Sequence, residues 1–218
     1  MKGLPKMHLK YYYWLWKNAI PGRLCDDIIR HGLRNKKERA ITEDQGKGKG
    51  RDLLKNPLSV KEIKQLKKSR DSQVVWLYER WICNMIQPFV HTANRNAGWN
   101  FEWDWSEPSQ FTIYEKGQYY GWHTDQGVDV LKNPSPHING KIRKLSMTVS
   151  LSDQKEYSGG NLEFDFRAIS KNKPWVCKEI NSKGSVVVFP SFVWHRVTPV
   201  TRGTRYSLVS WHTGDPFK

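Results

Sequence analysis

His123, Asp125 and His195 are the residues whose types and spacing could do chemistry together. The first two lie two apart in Tyr119-Tyr120-Gly121-Trp122-His123-Thr124-Asp125. On a strand, residues i and i+2 leave the same face, so both side chains would enter one cavity. His195, 72 residues further on, would join them from another strand. Two His and one carboxylate on one side of a metal leave three adjacent positions open, which suits non-haem Fe(II) oxygen chemistry. Zinc hydrolases also use two His and a carboxylate, usually from an HExxH helix, which is missing here. Each short motif recurs by chance in many chains; the whole set in a strand context carries the expectation.

Arg205 follows His195 by ten residues and opens the run Arg205-Tyr206-Ser207-Leu208-Val209-Ser210-Trp211. Period-two alternation puts Arg205, Ser207, Val209 and Trp211 on one face. A guanidinium is always charged, and inside a barrel it needs an anion. The distal carboxylate of a dicarboxylic cosubstrate would be one. An ion pair with Asp or Glu is the alternative, and the position just after a ligand His favours the anion site.

Strands must hold these residues. From Phe101 on, short apolar runs alternate with Gly, Pro, Asn and Asp turns: 109–114, 119–125, 144–151, 161–166, 175–180, 185–189, 193–197 and 205–211. Such a run of short strands predicts an antiparallel barrel or two-sheet jelly roll. Before it, 11–16 and 73–77 read as strands. Leu24, Ile28, Ile29 and Leu33 give a helix entered at Pro21. Ser59 and Glu62 form a capping box for a helix to about Lys68. Ile82, Ile86, Phe89, Val90 and Ala93 give a helix over 79–94 that Pro88 could kink. Helices first and strands after argue for an α+β fold rather than a parallel α/β one. The expected organisation is one catalytic domain over 1–218, with 1–100 as helical support and 101–218 as the β core. The helices would pack on the larger sheet, against Leu145, Met147, Val149 and Leu151.

The chain of 218 residues suits one domain. No apolar run reaches the ~18 residues that cross a membrane, and Met1–Lys6 lacks the apolar core of a signal peptide. Three cysteines with wide spacing and no Cys-x-x-Cys predict free thiols in a reducing cytoplasm. The net charge of +15 fits nucleic acid or an acidic protein partner, and equally a solvated basic surface. Residues 34–70 hold 13 Lys/Arg against 5 Asp/Glu. Within them, Gly46-Lys47-Gly48-Lys49-Gly50 reads as a basic loop without phosphate-loop spacing.

Four stretches now identify a family likeness: Gln118–Asp125, Arg143-Lys144-Leu145-Ser146, Tyr157-Ser158-Gly159-Gly160-Asn161-Leu162-Glu163-Phe164, and Gly184–Ser191 with Trp194-His195-Arg196-Val197. Together, over about 109–212, they resemble the prolyl 4-hydroxylase-type 2-oxoglutarate/Fe(II) dioxygenases, and within these the PKHD-type hydroxylases of bacteria and phages. The resemblance implies a double-stranded β-helix with iron on His123, Asp125 and His195. It implies that Arg205 binds the C5 carboxylate of 2-oxoglutarate, with Tyr114 hydrogen-bonded to it; a core aromatic is the alternative role for Tyr114. Thr148, Ser146 and Ser207 are expected as polar wall residues near the cosubstrate. Ser150 stands where some relatives have a second tyrosine, so that contact is expected to be lost or bridged by water.

The implied reaction consumes O2 and 2-oxoglutarate, releases succinate and CO2 and hydroxylates an unactivated C–H bond, with ascorbate as reductant for oxidised iron. The implied substrate is a peptidyl proline of a protein. Trp122, Tyr120, Trp194 and Arg143 are the candidate substrate residues, and the loop Gln126–Ile142 a candidate lid. A nucleic-acid demethylase of the AlkB type would suit the basic charge, but its second Arg, six residues after the first, is replaced here by Trp211. A free amino acid or other metabolite is a further candidate substrate. His137 and His212 read as ordinary polar residues.

Overall fold

The computed structural model describes residues 9–40, 59–133, 135–166 and 173–218. The glycine-lysine stretch 46–50 and the first six residues lie outside these. Strands are numbered β1–β15 and helices α1–α3 in chain order.

The larger sheet runs in spatial order β1 (Trp14–Trp16), β12 (Val186–Pro190), β8 (Ile142–Ser150), β15 (Arg205–Gly214), β6 (Ser109–Tyr114), β4 (Gln73–Leu77) and β2 (Glu38–Arg39). A short β5 (Trp105–Ser106) also pairs with β15. The smaller sheet is β11 (Trp175–Val176), β10 (Leu162–Asp165), β13 (Trp194–Val197), β7 (Tyr119–His123) and β3 (Arg70–Asp71). Beside them, β14 (Val200–Gly203) pairs with β9 (Tyr157–Gly159). Every ladder is antiparallel. Through the core the chain switches sheets repeatedly: β6, β8, β12 and β15 lie in the larger sheet, while β7, β10 and β13 lie in the smaller. That alternation is the double-stranded β-helix, or jelly roll, expected from the strand pattern.

Period-two alternation sorts side chains into two cores. Val186 and Val188 of β12, with Leu145, Met147 and Val149 of β8, face outward into a cluster with Ile28, Ile82, Ile86 and Val90. These last come from α1 (Gly22–Arg34) and α3 (Arg80–Asn96), so the helices cover the larger sheet. Val187 and Phe189 face the other way, between the sheets, beside Phe164, Ile180 and Val197. The capping box of α2 (Val60–Leu66) forms as expected: Ser59 Oγ accepts from the Glu62 amide, and Glu62 Oε2 accepts from the Ser59 amide. Helix α3 runs through Pro88, which cannot donate to the carbonyl four residues back.

Several boundaries differ from the sequence expectation. The strand at 11–16 is confined to 14–16 by its pairing with β12. The strand at 175–180 ends at Val176. Cys177 donates its amide to Leu162, and Lys178–Asn181 closes into a 3-10 turn that buries Ile180. The last strand continues to Gly214, so His212 lies within it. The first hundred residues supply strands as well as helices, since β4 extends the larger sheet and β3 the smaller. The three cysteines are free thiols. Among the described residues, no helix is long and apolar enough to cross a membrane.

Helix α1 approaches β6 through Gly32, where a Cβ would run into the ring of Phe111. That ring is fully buried and stacked on Tyr206 at 5.6 Å, so it has little room to yield. Alanine is the better helix former by about 1 kcal/mol. Gly32→Ala is nevertheless expected to be net destabilising, because overpacking typically costs ~1–3 kcal/mol. A lower urea midpoint at unchanged slope checks this; a raised midpoint would show that the helix can back away freely.

Candidate active site

His123 ends β7 and His195 sits in β13, and the two residues are direct partners across that ladder. Their rings lie 4.1 Å apart. Asp125 comes two residues after His123, but not on the strand as expected. The ladder stops at His123, and Asp125 is held in the following turn by its amide, which donates to the Ser191 carbonyl at 2.9 Å. Its carboxylate then lies 3.7 Å from His123 Nε2 and 3.5 Å from His195 Nε2. One ligand atom from each of the three residues falls within 4.8 Å of the others.

The tautomers follow from the backbone. His123 Nδ1 is 2.8 Å from the Gly121 carbonyl, and His195 Nδ1 is 3.0 Å from that of Val193. A carbonyl only accepts, so each Nδ1 carries a proton, which leaves Nε2 as the atom that can ligate at the shared point. Burial, and then His195, push the His123 pKa well below its ordinary value, so the ring is neutral. Burial alone would raise the Asp125 pKa, but His195, His123, Arg143 and the Ser146 hydroxyl outweigh it and hold the carboxyl ionised. Asp125 Oδ2 is buried without a hydrogen-bond partner. Two imidazole Nε2 atoms and a carboxylate oxygen with no hydrogen-bond partner among the described residues, gathered at one point, form a donor set for a divalent metal ion, and they fit Fe(II).

The trio opens into a cavity of about 770 Å³ between the sheets. Arg205 lines it, 2% exposed. Its Nη1 donates to Ser207 Oγ at 3.2 Å, its Nε has no partner, and its guanidinium lies 5.5 Å over the Tyr114 ring. The last contact follows from the register, since Arg205 pairs with Tyr114 across β15 and β6. No carboxylate among the described residues pairs with this guanidinium, which makes it a receptor for an anion from outside. Tyr114 also packs in the apolar core between the sheets, so its core and cavity roles coexist. Thr148, Ser207, Val209 and Trp211 line the same wall.

Not every expected residue reaches the cavity. Ser150 turns its hydroxyl to the Ser152 carbonyl, Ser146 Oγ lies 2.9 Å from Ser191 Oγ, and neither is on the wall. Tyr120 and Arg143 line it, whereas Trp122 and Trp194 do not. Tyr120 stacks on His123 at 3.5 Å, and burial raises its phenol pKa to about 12. Arg143 forks onto Glu107 at 2.6 and 2.8 Å and lies 4.1 Å over Trp211. Trp122 sits under Arg196, and Trp194 is 39% exposed on the outer side. The loop expected as a lid contributes Asp129, Val130, Leu131, Lys132, Asn133 and Ile138. Reciprocal bonds of Leu131 with Lys141 and Gly140 close it, and His137 stacks on Trp105.

Arg70, Gln110 and Trp76 also line the cavity, and sequence reasoning missed all three. Arg70 was one basic residue among 13 between 34 and 70. Only its pairing with Tyr120 through β3 takes it inside.

His212 is not a ligand. It is fully buried, with Nδ1 bonded to Ser106 Oγ at 2.9 Å and Trp103 edge-on at 4.8 Å. Burial, and then His91, lower its pKa from 6.5 to about 3. The unfolded chain therefore takes up a proton below pH 6.5 that the folded protein refuses until about pH 3. Stability is expected to fall across that window by up to ~1.4 kcal/mol per pH unit from this residue. His123 acts in the same direction in the metal-free protein, so His212→Leu compared with wild type isolates the effect. Equal acid limbs in urea unfolding would contradict it.

Residues 109–213 match the family model of the 2OG-Fe(II) oxygenase superfamily. A PKHD-type hydroxylase of Teredinibacter turnerae is 35% identical over 108 residues, 48% of this chain and 42% of the relative. A second, from Idiomarina loihiensis, is 31% identical over 98 residues, 45% of this chain and 38% of the relative. The match thus spans less than half the length of these relatives. Among solved structures, a viral collagen prolyl hydroxylase of Paramecium Bursaria Chlorella virus-1 in its 2OG complex has a TM-score of 0.60 at 19% identity, covering 94% of this chain and 97% of that one. A Pseudomonas putida prolyl-4-hydroxylase has a TM-score of 0.59 at 18% identity, covering 95% of each chain. At these identities the structures establish a shared fold.

Proposed function

We propose, from the match of residues 109–213 to the 2OG-Fe(II) oxygenase superfamily, that this chain is an Fe(II)- and 2-oxoglutarate-dependent dioxygenase that hydroxylates a peptidyl proline of a protein. The observation that carries the proposal is one cavity holding both the His123–Asp125–His195 trio and an Arg205 guanidinium with no carboxylate partner among the described residues.

Fe(II) with 2-oxoglutarate and O2 supplies the oxidative decarboxylation and the oxygen transfer to a C–H bond, and ascorbate restores iron that has been oxidised. The residues do the rest. His123, Asp125 and His195 hold the metal from one side, and Arg205 takes the far carboxylate of the cosubstrate. Thr148 and Ser207 offer hydroxyls beside it. Phe189 packs edge-on against His195 at 4.8 Å and Tyr120 stacks on His123, so both imidazoles are braced and shielded from water on those sides. Rigid ligand side chains would fix the position of the metal and with it the point to which a substrate C–H bond must be brought. The proline substrate is supported by the names of the solved structures, a collagen prolyl hydroxylase and a prolyl-4-hydroxylase, and by Trp76 and Trp211 on the cavity wall, against which a pyrrolidine ring can lie.

The test is anaerobic titration of the Fe(II)-loaded protein with 2-oxoglutarate, followed by O2 and proline-containing peptides or methylated oligonucleotides. The expected result is a weak visible charge-transfer band, then peptide-stimulated succinate with one oxygen added to proline. Stimulation by the oligonucleotide alone would replace the substrate with a nucleic acid. A missing band would remove the metal chemistry.

A further inference from the structure

Arg70, like Arg205, is a buried cation of the cavity with no carboxylate partner among the described residues. It is 6% exposed, yet all its partners are neutral: Nε donates to Ser72 Oγ at 3.0 Å, Nη2 donates to Gln110 Oε1 at 2.8 Å, and the guanidinium covers the Tyr120 ring at 4.4 Å. The adjacent Asp71 pairs with Arg39 and Lys67 instead. Arg143, by contrast, is neutralised by Glu107. A buried guanidinium with no counter-ion among the described residues carries a desolvation cost that neutral partners do not fully offset. Three contacts nevertheless hold it at the cavity wall.

Its position separates it from the cosubstrate end. Arg205 sits over Tyr114, while Arg70 is tied to Gln110 on the same strand. Those two positions are four residues apart along β6, roughly 13 Å at ~3.3 Å per residue, so the two cations are anchored at different points of the cavity wall. Arg70 is also one ring away from the metal trio. His123 occupies one face of Tyr120 at stacking distance, which leaves the other face for Arg70.

We infer that Arg70 anchors a carboxylate of the primary substrate, next to the carbon that is hydroxylated. The substrate is then an acidic peptide, with the carboxylate on a flanking side chain or at a C-terminus. The inference rests on the reading that Arg205 takes the cosubstrate.

The experiment uses acetyl-Ala-Pro-Glu-Ala-amide, its Gln counterpart, and acetyl-Ala-Ala-Pro with a free C-terminus. Each is scored by the shift in melting temperature of the metal-loaded protein and by stimulated succinate release. The Glu or the free-acid peptide is expected to raise the melting temperature and stimulate succinate in the wild type, and the Gln peptide to do neither. Arg70→Gln should weaken the acidic peptide at least about thirty-fold, while the 2-oxoglutarate band stays unchanged. Arg70→Lys should restore part of the preference.

Equal responses to the Glu and Gln peptides, or no shift with any carboxylate probe, overturn the inference in the wild type alone. It is also overturned if Arg70→Gln raises the 2-oxoglutarate requirement, which would assign Arg70 to the cosubstrate, or if a methylated oligonucleotide displaces the peptide. If no band forms, the dioxygenase reading fails by itself, and the melting shift still decides Arg70.

Discussion

Arg205→Gln is expected to raise the 2-oxoglutarate concentration that half-saturates the charge-transfer band by roughly 30- to several-thousand-fold, with iron affinity little changed. The range corresponds to the ~2–5 kcal/mol typical when one partner of a buried, hydrogen-bonded charge pair is truncated. The large end applies here for two reasons. Arg205 has no carboxylate of its own to release, so the ligand meets an intact charge. It is also buried beneath Tyr114, where water cannot substitute for the lost guanidinium. The variant should fold, since the wild-type side chain is itself an uncompensated buried charge, and a neutral amide removes that cost. An unchanged band titration would take Arg205 out of the cosubstrate site. Parallel loss of iron would mean that the substitution has disturbed the metal trio as well.

Asp125→Asn is expected to abolish stable Fe(II) binding while leaving the melting temperature of the metal-free protein near or above that of wild type. The amide keeps the shape and fills the same turn, whose anchor is the backbone bond to Ser191 and not the side chain. It removes the one anionic ligand and places a donor where Oδ2 now has no partner. The loss of affinity should exceed the ~10–100-fold that follows removal of a mere outer partner of a ligand. His195→Ala should behave alike for metal, but cost stability, because Phe189 and His123 pack on the ring. Metal content after gel filtration, with the metal-induced melting shift, measures both. Iron retained by Asp125→Asn at wild-type affinity would dissolve the proposed ligand set.

What the sequence by itself determined is the part governed by short-range rules. Alternation along β8, β12 and β15 specified which residues face the helices and which face the cavity, because a strand has only two faces. The i, i+4 spacing of Ile82, Ile86 and Val90 specified the buried side of α3. Ser59 and Glu62 marked a helix start because the capping box closes within four residues. The trio and Arg205 were legible for a related reason: each is a residue type with few inexpensive uses inside a barrel.

Only the tertiary structure decided the rest. Asp125 is aimed by the Ser191 carbonyl, 66 residues away, and not by the strand period. His212 is buried because β15 continues along β8, a register that no local pattern states. Ser150 lies on the expected face, yet bonds to Ser152 outside the cavity wall. Arg70 was hidden in a basic run whose other described residues lie mostly on the surface. Its two-residue strand is too short to read, and its burial comes from pairing with Tyr120 and from the bond to Gln110, 40 residues later. Contacts between residues distant in the chain select one partner among many chemically equivalent ones. A sequence states which residues could make such contacts, and the packed sheets determine which do.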